Sequence, residues 1–237
     1  MSRVLVVKTG STLPGIAARR GDFESWIARG MGLAASDIDV IDVTSGAPLP
    51  APGALPGIVV TGSSAMVSAR EPWSERAGAW LVDAVGAGTP VLGICYGHQL
   101  LAHALGGRVA RNPRGRETQL DRADLAPEAK HDALLGELPA RTRAHTTHLE
   151  SVLELPPGAR WLAESDTDPN QAFAVGARAW GVQFHPEFDA DVMRGYVEGR
   201  RDALRAEGLD VDRLLADVAE TPESASLLRR FAALLGA

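Results

Sequence analysis

An α/β fold, built on a mostly parallel sheet with helices on both faces, is what the first half of this sequence predicts. Three observations carry that expectation. Short valine-rich apolar runs have the look of strands buried on both sides. Segments with apolar residues at helical spacing lie between them. The two types alternate regularly as far as Gly107, the pattern of strand–helix crossovers.

Taken in order, "RVLVVKTG" (3–10) is the first strand. In "DFESWIARGMGL" (22–33), Phe23, Trp26, Ile27 and Met31 share one helical face, and Asp22 stands where an N-cap belongs. "DIDVIDV" (37–43) is the second strand; the stretch 46–57, with Pro48, Pro50, Pro52 and Pro56, is a loop. "GIVVTG" (57–62) is the third strand, "SERAGAWLVDAVGAG" (74–88) a helix, and "PVLGIC" (90–95) the fourth strand. A helix over 96–105 ends at Gly106-Gly107, a pair suited to a C-cap.

From about 108 to 184 the runs become shorter and more polar: "RVARN", "RETQLDRADLA", "RTRAHTTH", "WLAES", "QAFAVG" and "AWGVQF". They predict hairpins and connecting strands rather than further crossovers. The tail from 189 is helical in three successive pieces. No internal repeat or linker interrupts the chain, so one domain over 1–237 is expected, with a catalytic core over 1–188 and a helical C-terminal extension over 189–237.

Composition narrows the function classes. A chain that is 45% hydrophobic and 23% charged has the make-up of a globular protein, and its net charge of −6 disfavours nucleic acid as a partner. There is no apolar run of membrane-spanning length and no leader-like start. The single cysteine, Cys95, cannot form an internal disulfide or a multi-thiolate metal site, so a cytoplasmic setting is expected.

That cysteine lies in "GICYGHQL" (93–100), where an apolar strand meets Gly-x-Cys-x-Gly and then a helix. This is the outline of a nucleophile elbow with cysteine in place of serine. Gly93 and Gly97 supply the small residues a sharp turn needs, and the helix N-terminus favours thiolate over thiol. The backbone N–H of Tyr96 would face an oxyanion on the attacked carbonyl. The competing reading is a small buried hydrophobe, the common state of a free cysteine.

A thiolate nucleophile needs a base. Of the six histidines, His98 and His103 fall in the helix after Cys95, His131 at a polar helical start, and His145 and His148 in "AHTTHLES". His185 ends "AWGVQF" and begins "HPEF". Extended residues two apart share a side, so His185 and Glu187 project together and Glu187 is placed to orient the imidazole. Without Cys95, His-Pro-Glu would read as an exposed strand-end turn. His145 and His148, three apart with no third ligand of clear spacing, favour structural or substrate-side roles over a metal site. Arg114 and Arg116 are placed to form a loop ion pair with Glu117.

Together "GICYGHQLLAHALGG" and "GVQFHPEF" resemble the class I (triad) glutamine amidotransferases, most closely the amidotransferase domain of GMP synthases. "NPRGRE" (112–117), "AHTTHLESV" (144–152) and "VVTGSSAMV" before the elbow support the resemblance, which covers roughly 57–188 in motifs and the first 190 residues in architecture. It implies a flavodoxin-like sheet carrying added hairpin strands and the helical tail. It implies that Cys95 attacks the side-chain amide carbon of glutamine, with His185 as base and then acid and Glu187 as its orienter. Ammonia leaves, and water hydrolyses the γ-glutamyl thioester to glutamate.

The family's Gly-Gly-Pro oxyanion loop falls on "TGSSAMV": Gly62 is kept and Ser63 stands in place of the second glycine, where a side chain alters the demands on loop geometry. Gln99 matches a family position that contacts the α-amino or α-carboxylate end of the substrate. Read without the family, Ser63 is a loop residue and Gln99 a solvent-facing helix residue. No cofactor or metal is implied. A Gly-x-x-x-x-Gly-Lys loop and the Ser-Gly-Gly-x-Asp-Ser signature of the family's ATP-pyrophosphatase partner are both missing, so this chain alone is not expected to make GMP. Three functions remain open: a glutaminase feeding ammonia to a separate synthetase subunit; a hydrolase of another γ-glutamyl amide or peptide; and an idle partner-binding module. The C-terminal helices can pack on the core, form a homodimer face or dock a partner.

Overall fold

The computed structural model describes residues 3–236, apart from the side chains of 119–122; Ala237, the last residue of the predicted tail, lies outside the described residues. Its strands are β1 (Val4–Lys8), β2 (Ile38–Asp42), β3 (Ile58–Val60), β4 (Val91–Ile94), β5 (Arg108–Arg111), β6 (Glu117–Leu125), β7 (Arg141–His148), β8 (Glu150–Glu154), β9 (Arg160–Glu164), β10 (Ala172–Val175) and β11 (Ala179–Val182). Its helices are α1 (Pro14–Arg20), α2 (Phe23–Met31), α3 (Pro72–Gly86), α4 (Tyr96–Ala104), α5 (Ala190–Gly199), α6 (Arg201–Ala206), α7 (Val211–Asp217) and α8 (Pro222–Leu235).

The main sheet has nine strands in the order β2-β1-β3-β4-β11-β10-β9-β6-β7. The first five are parallel, in flavodoxin-like order, and the last four form an antiparallel wing. β5 and β8 make a separate two-stranded ribbon. The apolar run of β1 explains itself in this arrangement. Val4 and Val6 enter the core under α2, α5 and α8, while Leu5 and Val7 enter the core under α3 and α4. All four are buried, each contributing about 1.5–3 kcal/mol of burial free energy.

The four predicted strands and three predicted helices of the first half form within a few residues of their expected limits. Asp22 caps α2 by accepting from the Phe23 N–H, and the Gly106 and Gly107 N–H groups close α4 on the carbonyls of His103 and Ala102. Three features depart from the sequence reading or add to it. The loop after β1 contains α1, a helix the apolar pattern does not announce. The predicted hairpin β10–β11 forms, but β11 also lies parallel to β4, making "AWGVQF" the fifth parallel strand and not merely a connecting one. The three tail pieces become four helices, because Arg200 leaves helical geometry between α5 and α6. Among the described residues, no helix is long and apolar enough to cross a membrane.

Candidate active site

In an open parallel sheet the carboxyl ends of the strands face a common crevice at the point where the strand order reverses. Here β2 lies on one side of β1 and β3 on the other. Four loops converge at that edge: Thr9–Leu13 after β1, Thr61–Met66 after β3, Cys95 after β4, and His185 after β11. β4 and β11 are in register, Ile94 opposite Val182, so Cys95 and His185 follow neighbouring strand ends.

Cys95 holds a conformation that side chains rarely take, φ 52° and ψ −100°. Such a residue costs on the order of 1–3 kcal/mol and persists only where its surroundings over-determine it. They do so here. The Cys95 N–H donates to the Val182 carbonyl (2.8 Å) and the Gly97 N–H to the Thr61 carbonyl (3.2 Å). A Cβ on Gly93 would lie 2.8 Å from the His98 backbone nitrogen and collide with the Gly97 carbonyl; one on Gly97 would lie 2.5 Å from the Val60 carbonyl oxygen. Both glycines flanking the cysteine are therefore required by close backbone approach, as the elbow outline predicts.

The imidazole of His185 is held on three sides. Its Nδ1 pairs with Glu187 Oε1 at 2.8 Å, Phe188 stacks on its face at 4.0 Å, and Gly62 abuts it so closely that a Cβ would come within 3.1 Å of Cε1. Nδ1 being engaged, Nε2 is the nitrogen left for the thiol. Burial pushes the Cys95 thiol up, but the charge and hydrogen bond of His185 bring it below its ordinary value. Burial pushes His185 down, and Glu187 with Cys95 overrides this to leave it well above the usual histidine range. Both directions favour the thiolate–imidazolium form of the pair over the thiol–imidazole form. Alkylation of Cys95 by iodoacetamide is therefore expected to titrate with a midpoint below 9.0, the ordinary value of the thiol, because the reactive form persists as pH falls. A midpoint at or above that value would remove the ion pair.

Two backbone N–H groups are the oxyanion candidates: that of Tyr96, next to Cys95 in the chain, and that of Ser63, which lines the same cleft. Tyr96 is the first residue of α4, so its N–H has no intrahelical acceptor. Ser63 acquires its orientation from the peptide before it. The Gly62 carbonyl accepts from the hydroxyls of Thr9 (3.1 Å) and Thr61 (3.0 Å), which sends the Ser63 N–H of the same planar peptide the opposite way. Among the described residues only Arg70 and Cys95 have positive φ without being glycine, so serine at 63 meets no left-handed backbone demand. Its hydroxyl accepts from the Ala65 N–H (3.1 Å).

Cys95 lies at the junction of two adjoining lobes, about 180 and 160 Å³ in volume, that share Ser63, Ser64, Cys95, Thr147 and Arg200. Gln99, His148 and Glu150 border the first; Thr12, His185 and Tyr196 border the second. Gln99 is buried and not solvent-facing, its Nε2 donating to the Glu150 carbonyl (2.6 Å) and to Gln183 Oε1 (2.9 Å).

The histidines of "HTTH" part company, since strand residues three apart face opposite sides. Burial lowers His145 to about 4, with charged His185 adding to the effect. His148 is raised: burial lowers it, but its Nε2 lies 3.2 Å from Asp168 Oδ2 and 3.2 Å from Glu117 Oε2. Sequence reasoning missed this buried cluster, whose members come from β6, β7 and the loop before β10. Its three ligand atoms lie within 4.8 Å of one another, yet Glu117 already accepts from Ser165 (2.6 Å), Gln171 (2.6 Å) and Thr167. Donors occupying those oxygens suit an imidazolium held by carboxylates better than a metal ion. The predicted Arg114/Arg116–Glu117 ion pair does not form. Arg116 instead makes a two-pronged pair with Glu207 (2.7 and 3.0 Å), and Arg114 donates to the Asp166 carbonyl.

A flavodoxin-like α/β sheet with a buried, strained cysteine at a strand–helix elbow, beside a histidine–carboxylate pair, is the class this arrangement defines. The family description "Glutamine amidotransferase class-I" matches residues 23–197, and the chain belongs to that family. It is 38% identical over 115 residues to one subunit of the glutamine-hydrolysing GMP synthase of Thermococcus kodakarensis, a match spanning 46% of this chain and 59% of that protein. It is 38% identical over 105 residues to "Gamma-glutamyl peptidase 4" of Arabidopsis thaliana, spanning 44% of this chain and 42% of the relative. The chain thus matches about half the length of these curated relatives. Its fold is that of a crystallised glutamine amidotransferase from Thermotoga maritima, with TM-score 0.78, 24% identity, and coverage of 99% of this chain and 97% of that one.

Proposed function

We propose that this protein is a thiol-dependent amidohydrolase that cleaves the side-chain amide of glutamine through a covalent γ-glutamyl intermediate. The carrying observation is the convergence of Cys95, with its depressed thiol, on an imidazole fixed by Glu187 at 2.8 Å. Cys95 Sγ adds to the amide carbon, and the negative charge formed on the carbonyl oxygen is received by the N–H groups of Ser63 and Tyr96. His185 gives its proton to the leaving nitrogen, and ammonia departs as the thioester forms. His185 then takes a proton from water, which attacks the thioester and releases glutamate and the thiolate. Glu187 keeps the ring oriented and balances its charge through the cycle. Gly62 leaves room for the imidazole, and Gln99 shapes the wall that receives the glutamyl end. No step requires a cofactor. Likeness to one subunit of a GMP synthase supports ammonia delivery to a separate synthetase subunit. The acidic chain, with no membrane-crossing helix among its described residues, fits a cytoplasmic setting.

A second reading keeps this chemistry and changes the leaving group to an amino acid or peptide. The two-lobed cleft favours it: ammonia needs no second lobe, and the thiol sits between the two. The likeness to a γ-glutamyl peptidase points the same way. Glutamate and ammonia, measured separately with glutamine and with γ-glutamyl dipeptides, decide between the readings. Glutamate with equal ammonia from glutamine supports the first; glutamate from dipeptides alone supports the second. No glutamate from either overturns both and leaves the idle partner-binding module.

A glutamine-like electrophile such as 6-diazo-5-oxonorleucine is expected to label Cys95 in peptide mapping. Label at another residue, or none, would count against a formed glutamyl pocket.

A further inference from the structure

The chain carries a net charge of −6, yet its cleft gathers cations. His185 borders one lobe with its pKa raised beside Cys95 and Glu187, His148 borders the other with its pKa raised by Asp168 and Glu117, and Arg116 and Arg200 border the same cleft. Three of the four have anionic partners: Cys95 and Glu187 for His185, Asp168 and Glu117 for His148, and Glu207 for Arg116. Arg200 differs. Its described polar contact is one neutral hydrogen bond, Nη1 to Thr147 Oγ1 at 2.7 Å, and its guanidinium lies over the Tyr196 ring at 4.9 Å. Among the described residues no carboxylate pairs with it.

The fold holds this arginine in place. Arg200 sits at the break between α5 and α6, with φ −111° and ψ 12°. Gly199 before it packs so closely that a Cβ would come 2.7 Å from Leu13 Cδ1, and Tyr196 beneath it is anchored by Thr12 Oγ1 at 2.8 Å. Arg200 is half-buried; removing part of a guanidinium from water without a counter-charge is unfavourable, and its planar fork of N–H donors is matched by a carboxylate. Arg200 borders both lobes, so a carboxylate in either is within the space it faces. It also lies beyond the matched family segment, which ends at residue 197.

We propose that Arg200 is the carboxylate receptor of the cleft and selects γ-glutamyl amides that carry a free carboxylate. The proposal rests on the thiol amidohydrolase reading above. The carboxylate belongs either to the glutamyl α-carbon or to an amino-acid leaving group.

The test compares wild type with Arg200→Gln and Arg200→Lys on glutamine, γ-glutamylglycine and γ-glutamyl ethylamide, beside thermal unfolding of each variant. For Arg200→Gln, KM is expected to rise about 10- to 100-fold with kcat changed little, and Arg200→Lys is expected to recover part of the loss. A rise on all three substrates assigns the α-carboxylate; a rise on γ-glutamylglycine alone assigns the leaving group. Unchanged KM on all three overturns the proposal. So does a shifted pH profile of Cys95 alkylation with KM intact, which would make Arg200 a partner of the thiolate instead. Calorimetric binding of γ-glutamylglycine to Cys95→Ala, with and without Arg200→Gln, separates the two readings. Binding weakened by Arg200→Gln, when the wild type itself shows no turnover, sinks the triad but keeps the receptor. Turnover in the wild type with binding indifferent to Arg200→Gln keeps the triad and sinks the receptor, and absence of binding sinks the receptor too.

Discussion

Cys95→Ala is expected to bring glutamate release to background, a fall of roughly 10,000-fold or more, with the fold retained. Removing the nucleophile leaves only binding and the oxyanion donors, and these supply a small residue of the rate. The stability change is small by comparison, since alanine deletes one sulfur atom from a side chain that is 5% exposed. His185→Asn removes proton transfer but leaves the sulfur, and its loss should be smaller, about 100- to 10,000-fold. Steady-state assays of both variants, beside their unfolding curves, check the order. Cys95→Ala turning over at a rate near wild type would end the proposed mechanism.

The second large effect falls on stability. Gly93→Ala puts a methyl group against the Gly97 carbonyl and the His98 backbone nitrogen, the latter at 2.8 Å. Neither obstacle is the far end of a flexible side chain. To make room, β4 or the first turn of α4 has to move, and Gly93 is paired on both sides, with Val60 and with Gly181. Overpacking of this kind costs about 3 kcal/mol or more, a drop in Tm of roughly 6–12 °C for a chain of this size. Activity should fall with it, because the same turn aims the sulfur. Gly86→Ala, where nothing lies within 4 Å, serves as the control and should change Tm little. Equal stability of the two variants would refute the close-approach account of the elbow.

How far these features were legible in the sequence depended on the range over which their causes act. Burial on both faces writes a continuous apolar run, so β1, β3 and β4 were readable from a few residues each. The elbow was readable because one of its requirements is local, Gly93 meeting Gly97 and His98 in the same turn, although Gly97 answers to Val60 on another strand. α1 was not: its seven residues "PGIAARR" bury only Ile16, and one apolar position has no period. The place of β11 was hidden for another reason. Its partner β4 ends 85 positions before it begins, and nothing in a short window states which strand a strand will meet. The same limit hid the burial of Gln99, the Glu117–His148–Asp168 cluster and the position of Arg200, each set by chain segments brought together only by the sheet. The ion pair assumed for Arg114, Arg116 and Glu117 failed because nearness in sequence took the place of direction in space. Arg116 lies before β6 and reaches Glu207, while Glu117 opens that strand and turns inward to His148, Ser165 and Gln171.

Register supplies one more consequence. The sulfur and the imidazole follow the ends of two neighbouring strands of a single parallel ladder, Cys95 one residue past β4 and His185 three past β11, so the register of that ladder governs their approach whatever the chain does between them. Most of that excursion builds the antiparallel wing and one wall of the cleft. Selection can therefore recast the wall and change which molecule is admitted, lineage by lineage, while the bond-breaking hardware stays untouched.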